Sequence, residues 1–70
     1  MLTVGEKIKI IMKRRDMTLT QLAASTNQTR QNLSNKMARD NFTEGDMKSL
    51  AEALGCEVSI EFHLPDGTTV

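Results

Sequence analysis

The sequence predicts a mainly α fold, a compact four-helix bundle followed by a C-terminal β-strand or short hairpin. Three observations carry that expectation. Helix-start signals recur at Thr3, Thr18, Thr29 and Thr43, and the apolar residues behind them fall at helical spacing. After Gly55 the apolar period drops to two. Aromatic residues are nearly absent, only Phe42 and Phe62, so Leu, Ile, Met, Ala and Val must fill the interior, with both phenylalanines expected there. A chain of 70 residues buries only ~60–65% of its unfolded surface, which makes one small domain: a helical unit over 1–55 and a β extension over 56–70.

Each element has its own signal. Thr3-Val4-Gly5-Glu6 fits a capping box, and Val4, Ile8, Ile11, Met12 and Arg15 form an inward stripe on a first helix from Val4 to Arg15. Thr18-Leu19-Thr20-Gln21 is a second box, opening a short helix from Leu19 to Ser25 that buries Leu19, Leu22 and Ala23. Asn27 supplies the left-handed residue that ends it. Thr29 caps a third helix, Arg30 to Met37, anchored by Leu33 and Met37, and Ala38 to Asn41 forms a polar link. The fourth helix starts at Thr43-Glu44-Gly45-Asp46 with an acidic first turn, buries Met47, Leu50, Ala51 and Leu54, and stops at Gly55. Beyond it Val58, Ile60, Phe62 and Leu64 alternate with Ser59, Glu61 and His63, and Pro65-Asp66-Gly67 offers a turn into a second strand, Thr68 to Val70.

The net charge is zero, but the charges are sorted along the chain. Through residue 40 there are eight cations against three anions, a net +5; after it there is one against six, a net −5. Such polarity lets a basic face meet phosphates while the acidic end turns away. Cys56 is the only cysteine, excluding an intrachain disulfide and a cysteine-rich zinc site. Packing accounts for Cys56 and a surface position for His63. No nucleophile motif, phosphate loop or metal-ligand spacing is present, so neither an enzyme nor a cofactor is expected. The N-terminus lacks a signal-peptide pattern and no apolar run is long enough to span a membrane, which points to the cytoplasm.

The informative element is the pair of short helices, Leu19–Ser25 and Arg30–Met37, separated by a tight turn. A helix that enters the major groove needs apolar inward positions and hydrogen-bonding side chains at its outward N-terminal positions. Leu33 and Met37 supply the first. Thr29, Arg30, Gln31, Asn32 and Asn35 supply the second, since Arg suits guanine and Gln or Asn suits adenine. Small residues, Ala23 and Ala24, allow the two helices to approach. Thr18, Thr20, Lys36, Arg39 and Asn41 flank them and are candidates for the DNA backbone.

Thr18, Leu22, Ala23, the turn at Asn27, Thr29-Arg30-Gln31 and Leu33-Ser34 resemble the lambda-repressor-like (XRE) family of helix-turn-helix proteins. Phe42-Thr43 and Leu50 to Gly55 are similar to its closing helix, so the likeness spans Val4 to Val58. It implies a third helix that reads duplex DNA, within a dimeric transcriptional regulator. A chain this short leaves no room for an effector-binding domain, so no small-molecule effector is expected. Some positions depart from the pattern. Leu19 replaces a Gln that contacts the DNA backbone, Gln28 replaces an apolar residue, and Asn27 stands where Gly is usual. Met12 and Met37 replace an Arg–Glu pair, and the two sulfurs are expected to pack together.

An apolar-faced strand with an open edge invites pairing. Two copies joined through Val58, Ile60, Phe62 and Leu64 would set two reading helices roughly 34 Å apart and select a pseudo-palindromic operator. Repression by occupancy is the simplest use of such a homodimer. The competing reading is a protein-interaction module, an antitoxin-like or assembly domain with the β tail as its binding edge. Binding of RNA or single strands is disfavoured by the missing aromatic platforms.

Overall fold

Threonine opens every helix. The computed structural model describes residues 1–70 and contains α1 (Val4–Arg14), α2 (Leu19–Ser25), α3 (Arg30–Arg39) and α4 (Glu44–Ala53). Thr3, Thr18, Thr29 and Thr43 each hold extended backbone at the N-cap, with the hydroxyl accepting the N–H of the third helical residue. Glu6, Gln21 and Asp46 reach back to the cap N–H and close capping boxes on α1, α2 and α4. The bond from the Thr3 N–H, joined by its hydroxyl, holds the Glu6 carboxyl below its ordinary pKa. The side chain at the matching position of α3, Asn32, does not reach back.

The helix ends are equally uniform. Asp16, Asn27, Asp40 and Gly55 follow the four helices with φ of 53°, 60°, 50° and 72°. In each case the next residue's N–H returns to a carbonyl five positions earlier: Met17 to Met12, Gln28 to Ala23, Asn41 to Lys36 and Cys56 to Ala51. This is the Schellman closure. Asn27 and Gly55 were expected in these places, whereas Asp16 and Asp40 take a left-handed conformation that the sequence does not advertise. Asp40 repays it with a tertiary bond, its Oδ1 accepting the Gly5 N–H at 2.9 Å. A Cβ on Gly5 would stand 3.2 Å from the Met37 carbonyl oxygen. Glycine is therefore what lets the first turn of α1 press against the end of α3.

Ile8, Leu22, Ala23, Leu33, Leu50 and Leu54 form the core, with Val4, Ile11, Met12, Met17, Leu19, Met37, Phe42, Ala53 and Cys56 packed around it. No polar side chain is buried. Met12 and Met37 both pack against the core and line one hollow between α1 and α3, together with Lys9, Leu19, Ser34 and Ala38. α1 stops at Arg14, and Arg15 turns out of the expected inward stripe to donate from Nη2 to the Gly55 carbonyl at 3.0 Å. α3 runs two residues past Met37, which moves Ala38 and Arg39 from the expected link into the helix.

The C-terminal extension departs from expectation. No regular strand forms over Val58–Leu64 or Thr68–Val70; one isolated antiparallel bridge joins His63 and Thr69. Phe62 and Val70 exchange backbone hydrogen bonds of 2.7 and 2.9 Å around the Pro65–Gly67 turn. The Asp66 carboxylate accepts the Thr68 hydroxyl and N–H, and both bonds lower its pKa. From Glu57 to Glu61 the backbone has no partner at all. Alternation supplies a strand with a face, but a ladder also needs a second backbone, and an arm this short is marginal alone. Phe62, expected inside, is 72% exposed.

Candidate nucleic-acid interface

Helices α2 and α3 meet through apolar residues, two leucines and a small alanine. Leu22 and Leu33 are fully buried and Ala23 is 1% exposed. Ala24 lies on the outside, so the close approach rests on Ala23 alone. The turn between the helices is locked by backbone and side chains. Gln28 returns its N–H to Ala23, and the Thr26 hydroxyl donates to the Leu22 carbonyl at 2.9 Å. α3 is thereby fixed on α2 with Leu33 and Met37 facing inward.

Its other side is hydrophilic. Arg30, Gln31, Asn32 and Asn35 are all exposed. The ion pairs of the chain engage Lys36, Lys48 and His63, which leaves the Arg30 guanidinium free. Gln31 Nε2 donates to Asn35 Oδ1 at 3.1 Å, one helical turn along. That bond has a chemical consequence. With its oxygen engaged, Asn35 faces outward as a donor, while Gln31 keeps an acceptor and a donor side by side. Thr29 uses its hydroxyl oxygen to accept the Asn32 N–H, so its first task is to start the helix.

The flanking candidates separate. Thr18 caps α2 through the Gln21 N–H at 3.1 Å, and Thr20 is exposed in the first turn. Arg39 and Asn41 are exposed at the far end of α3. Lys36 is instead turned toward α4, where its Nζ lies 2.9 Å from Asp46 Oδ1. The Thr43 N–H and then this ammonium hold the Asp46 carboxyl below its ordinary pKa. The positive charge of Lys36 is thus matched within the fold, and Arg39 is the more available cation.

Two residues missed by sequence reasoning belong beside these. Lys9, on α1, borders the hollow shared by Leu19 of α2 and Ser34 and Ala38 of α3, and so adds a cation beside that face. Gln28, half-buried, bonds Thr26 on one side and Asn32 on the other. The four-residue spacing of Gln28 and Asn32 was visible, but only the folded turn shows that their amides meet. No three His, Cys, Asp or Glu side chains converge as metal ligands would. Nor is any helix long and apolar enough to cross a membrane.

A family model described as Cro/C1-type HTH DNA-binding domain matches residues 7–59, well over half of the chain. The chain belongs to that family. No curated protein and no solved structure matches it. The Cro/C1-type match covers all of α2, α3 and α4 and most of α1, ending inside the extension. It assigns DNA binding to the domain.

Proposed function

We propose that this Cro/C1-type domain reads duplex DNA sequence-specifically, with α3 in the major groove, as a small transcriptional repressor that acts by occupying its operator. The observation that carries the reading is the outward side of α3. A free Arg30 sits beside the coupled amides of Gln31 and Asn35 on a helix pinned by Leu33. Arg30 suits guanine O6 and N7, and Gln31 suits adenine. Asn35, acting as donor, suits the acceptor edge of guanine or thymine. Thr29 and Asn32 complete the base-reading set. Thr18, Thr20, Arg39 and Asn41 serve the backbone, with Lys36 a lesser contributor because of its bond to Asp46.

Two copies associate in this reading, and a pseudo-palindromic operator follows from the two-fold symmetry. Support comes from the extension, where Val58, Ile60, Phe62 and Leu64 are exposed and Glu57–Glu61 leave their backbone unpaired. The same exposed apolar segment also supports a second reading, in which the domain docks another protein through residues 56–70. One experiment separates them: selection from a random duplex pool at ~0.1 M salt, because salt sets the non-specific background. An Arg30→Ala, Gln31→Ala double variant is run in parallel. Enrichment of an inverted repeat by the native chain alone supports dimeric reading through α3. No enrichment from folded protein overturns it in favour of the protein-docking role.

A further inference from the structure

We propose that Gln28 is a positioning residue for base reading, which holds the Asn32 carboxamide away from its own helix cap and open toward the groove. The proposal rests on the DNA-reading role of α3. Asn32 occupies the third position of α3, and the other three helices show what that position does by default. Glu6 accepts the Thr3 N–H at 3.0 Å, Gln21 the Thr18 N–H at 2.9 Å, and Asp46 the Thr43 N–H at 3.0 Å. In α3 the backbone half of the motif is present, Asn32 N–H to Thr29 Oγ1 at 3.0 Å. Its side-chain half is missing, and the Thr29 N–H has no partner.

Reach does not explain the difference. Asp46 has the same length and shape as Asn32 and closes its box. The competitor is Gln28, whose Oε1 accepts from Asn32 Nδ2 at 2.9 Å. Gln28 holds its place because its own Nε2 donates to Thr26 Oγ1 at 2.7 Å, and the Thr26 hydroxyl donates to the Leu22 carbonyl at 2.9 Å. The relay therefore runs from the backbone of a fully buried residue to an exposed carboxamide. Folded back, Asn32 would spend its only acceptor on Thr29. Held by Gln28, it keeps Oδ1 and its second N–H free. An acceptor beside a donor is the complement of adenine N6–H and N7.

The test extends the same selection to Gln28→Leu, Gln28→Glu, Asn32→Ala and the Gln28→Leu, Asn32→Ala double variant. Gln28→Leu frees Asn32 to close the box, so preference for adenine at one position of each half-site drops about tenfold, the scale of one bidentate contact. Asn32→Ala loses the same position, and the double variant loses nothing more. Gln28→Glu keeps an acceptor for Asn32 Nδ2 but loses the donor that anchors the side chain on Thr26 Oγ1, so the adenine preference falls there too. Thermal melting of Gln28→Leu stays at or above that of the native chain, since a completed capping box replaces the relay. A lower melting temperature with an unmoved adenine preference would mean that Gln28 merely locks the turn, and would overturn the proposal. So would Asn32→Ala leaving every position unchanged. If the native chain selects no sequence, the DNA-reading role fails and takes this inference with it. A native preference unmoved by Gln28→Leu removes the positioning role alone.

Discussion

The helical body and the C-terminal extension carry similar apolar residues and treat them in opposite ways. In the body, Leu22, Leu33, Leu50 and Leu54 are all at most 3% exposed, and every helix end is closed by a cap. In the extension every residue from Glu57 onward is exposed, although Val58, Ile60, Phe62 and Leu64 are as apolar as the core. Periodicity makes the difference. A helix satisfies its own backbone and needs only side-chain neighbours, so four of them close on one another. An extended segment needs another backbone as well as a face, and the chain supplies only the Pro65–Gly67 return. The body closes on itself, and the extension leaves its apolar face and much of its backbone exposed.

The largest expected effect breaks the body. Leu33 is fully buried between the reading helix and its support. Leu33→Ala should cost about 3–5 kcal/mol through lost transfer and the cavity left behind. That is comparable with the whole stability of so small a domain, so urea melts followed by circular dichroism should show a largely unfolded chain. A loss under ~1 kcal/mol would mean that α2 and α3 can close over the hole, and that the helix pair is not rigidly set.

How much of this was legible depended on whether the signal was local. Thr3, Thr18, Thr29 and Thr43 act within one turn of chain, and all four helix starts were readable from them. So were the ends at Asn27 and Gly55. Asp16 and Asp40 were missed because Asp is an uncommon left-handed residue, and Asp40 is held by Gly5, 35 residues away. The extension was misjudged because period two reports a face and says nothing of the partner strand. In the candidate site, the exposure of Arg30, Gln31, Asn32 and Asn35 followed from helical spacing around Leu33. The withdrawal of Lys36 to Asp46 and the hold of Gln28 on Asn32 depend on side-chain direction across a turn or between helices, which residue spacing leaves open.

A middling effect sharpens the comparison from the side of the body. Asp46 is both the cap partner of Thr43 and the counter-ion of Lys36, tying α3 to α4. Asp46→Ala should destabilise by about 1–2 kcal/mol near neutral pH, mostly from the lost cap, since a partly exposed ion pair adds little. The Asp46 pKa is lowered by folding, so its stabilisation is full above the unfolded value, about 4, and fades as pH falls through the folded value. The gap in melting temperature between native chain and variant should therefore narrow below about pH 4. A gap that stays constant into strong acid would show that ionised Asp46 contributes nothing and only its shape matters.

The smallest effect on folding belongs to the extension, and there the comparison is tested most directly. Phe62 is 72% exposed and lies outside the core cluster. Phe62→Ser should leave the stability of the dilute single chain within about 0.5 kcal/mol, as surface substitutions do. Association is where the change should appear. If two copies meet through Val58, Ile60, Phe62 and Leu64, removing the largest of these side chains raises the dissociation constant seen by sedimentation. Apparent stability then loses its dependence on protein concentration, because a dimer adds to the stability of its folded subunits by mass action. Destabilisation of the dilute chain by more than about 1 kcal/mol would contradict the division itself, for it would show the extension packed on the body as one cooperative unit. An unchanged melt together with unchanged sedimentation would keep the body self-contained and move the association surface away from Phe62.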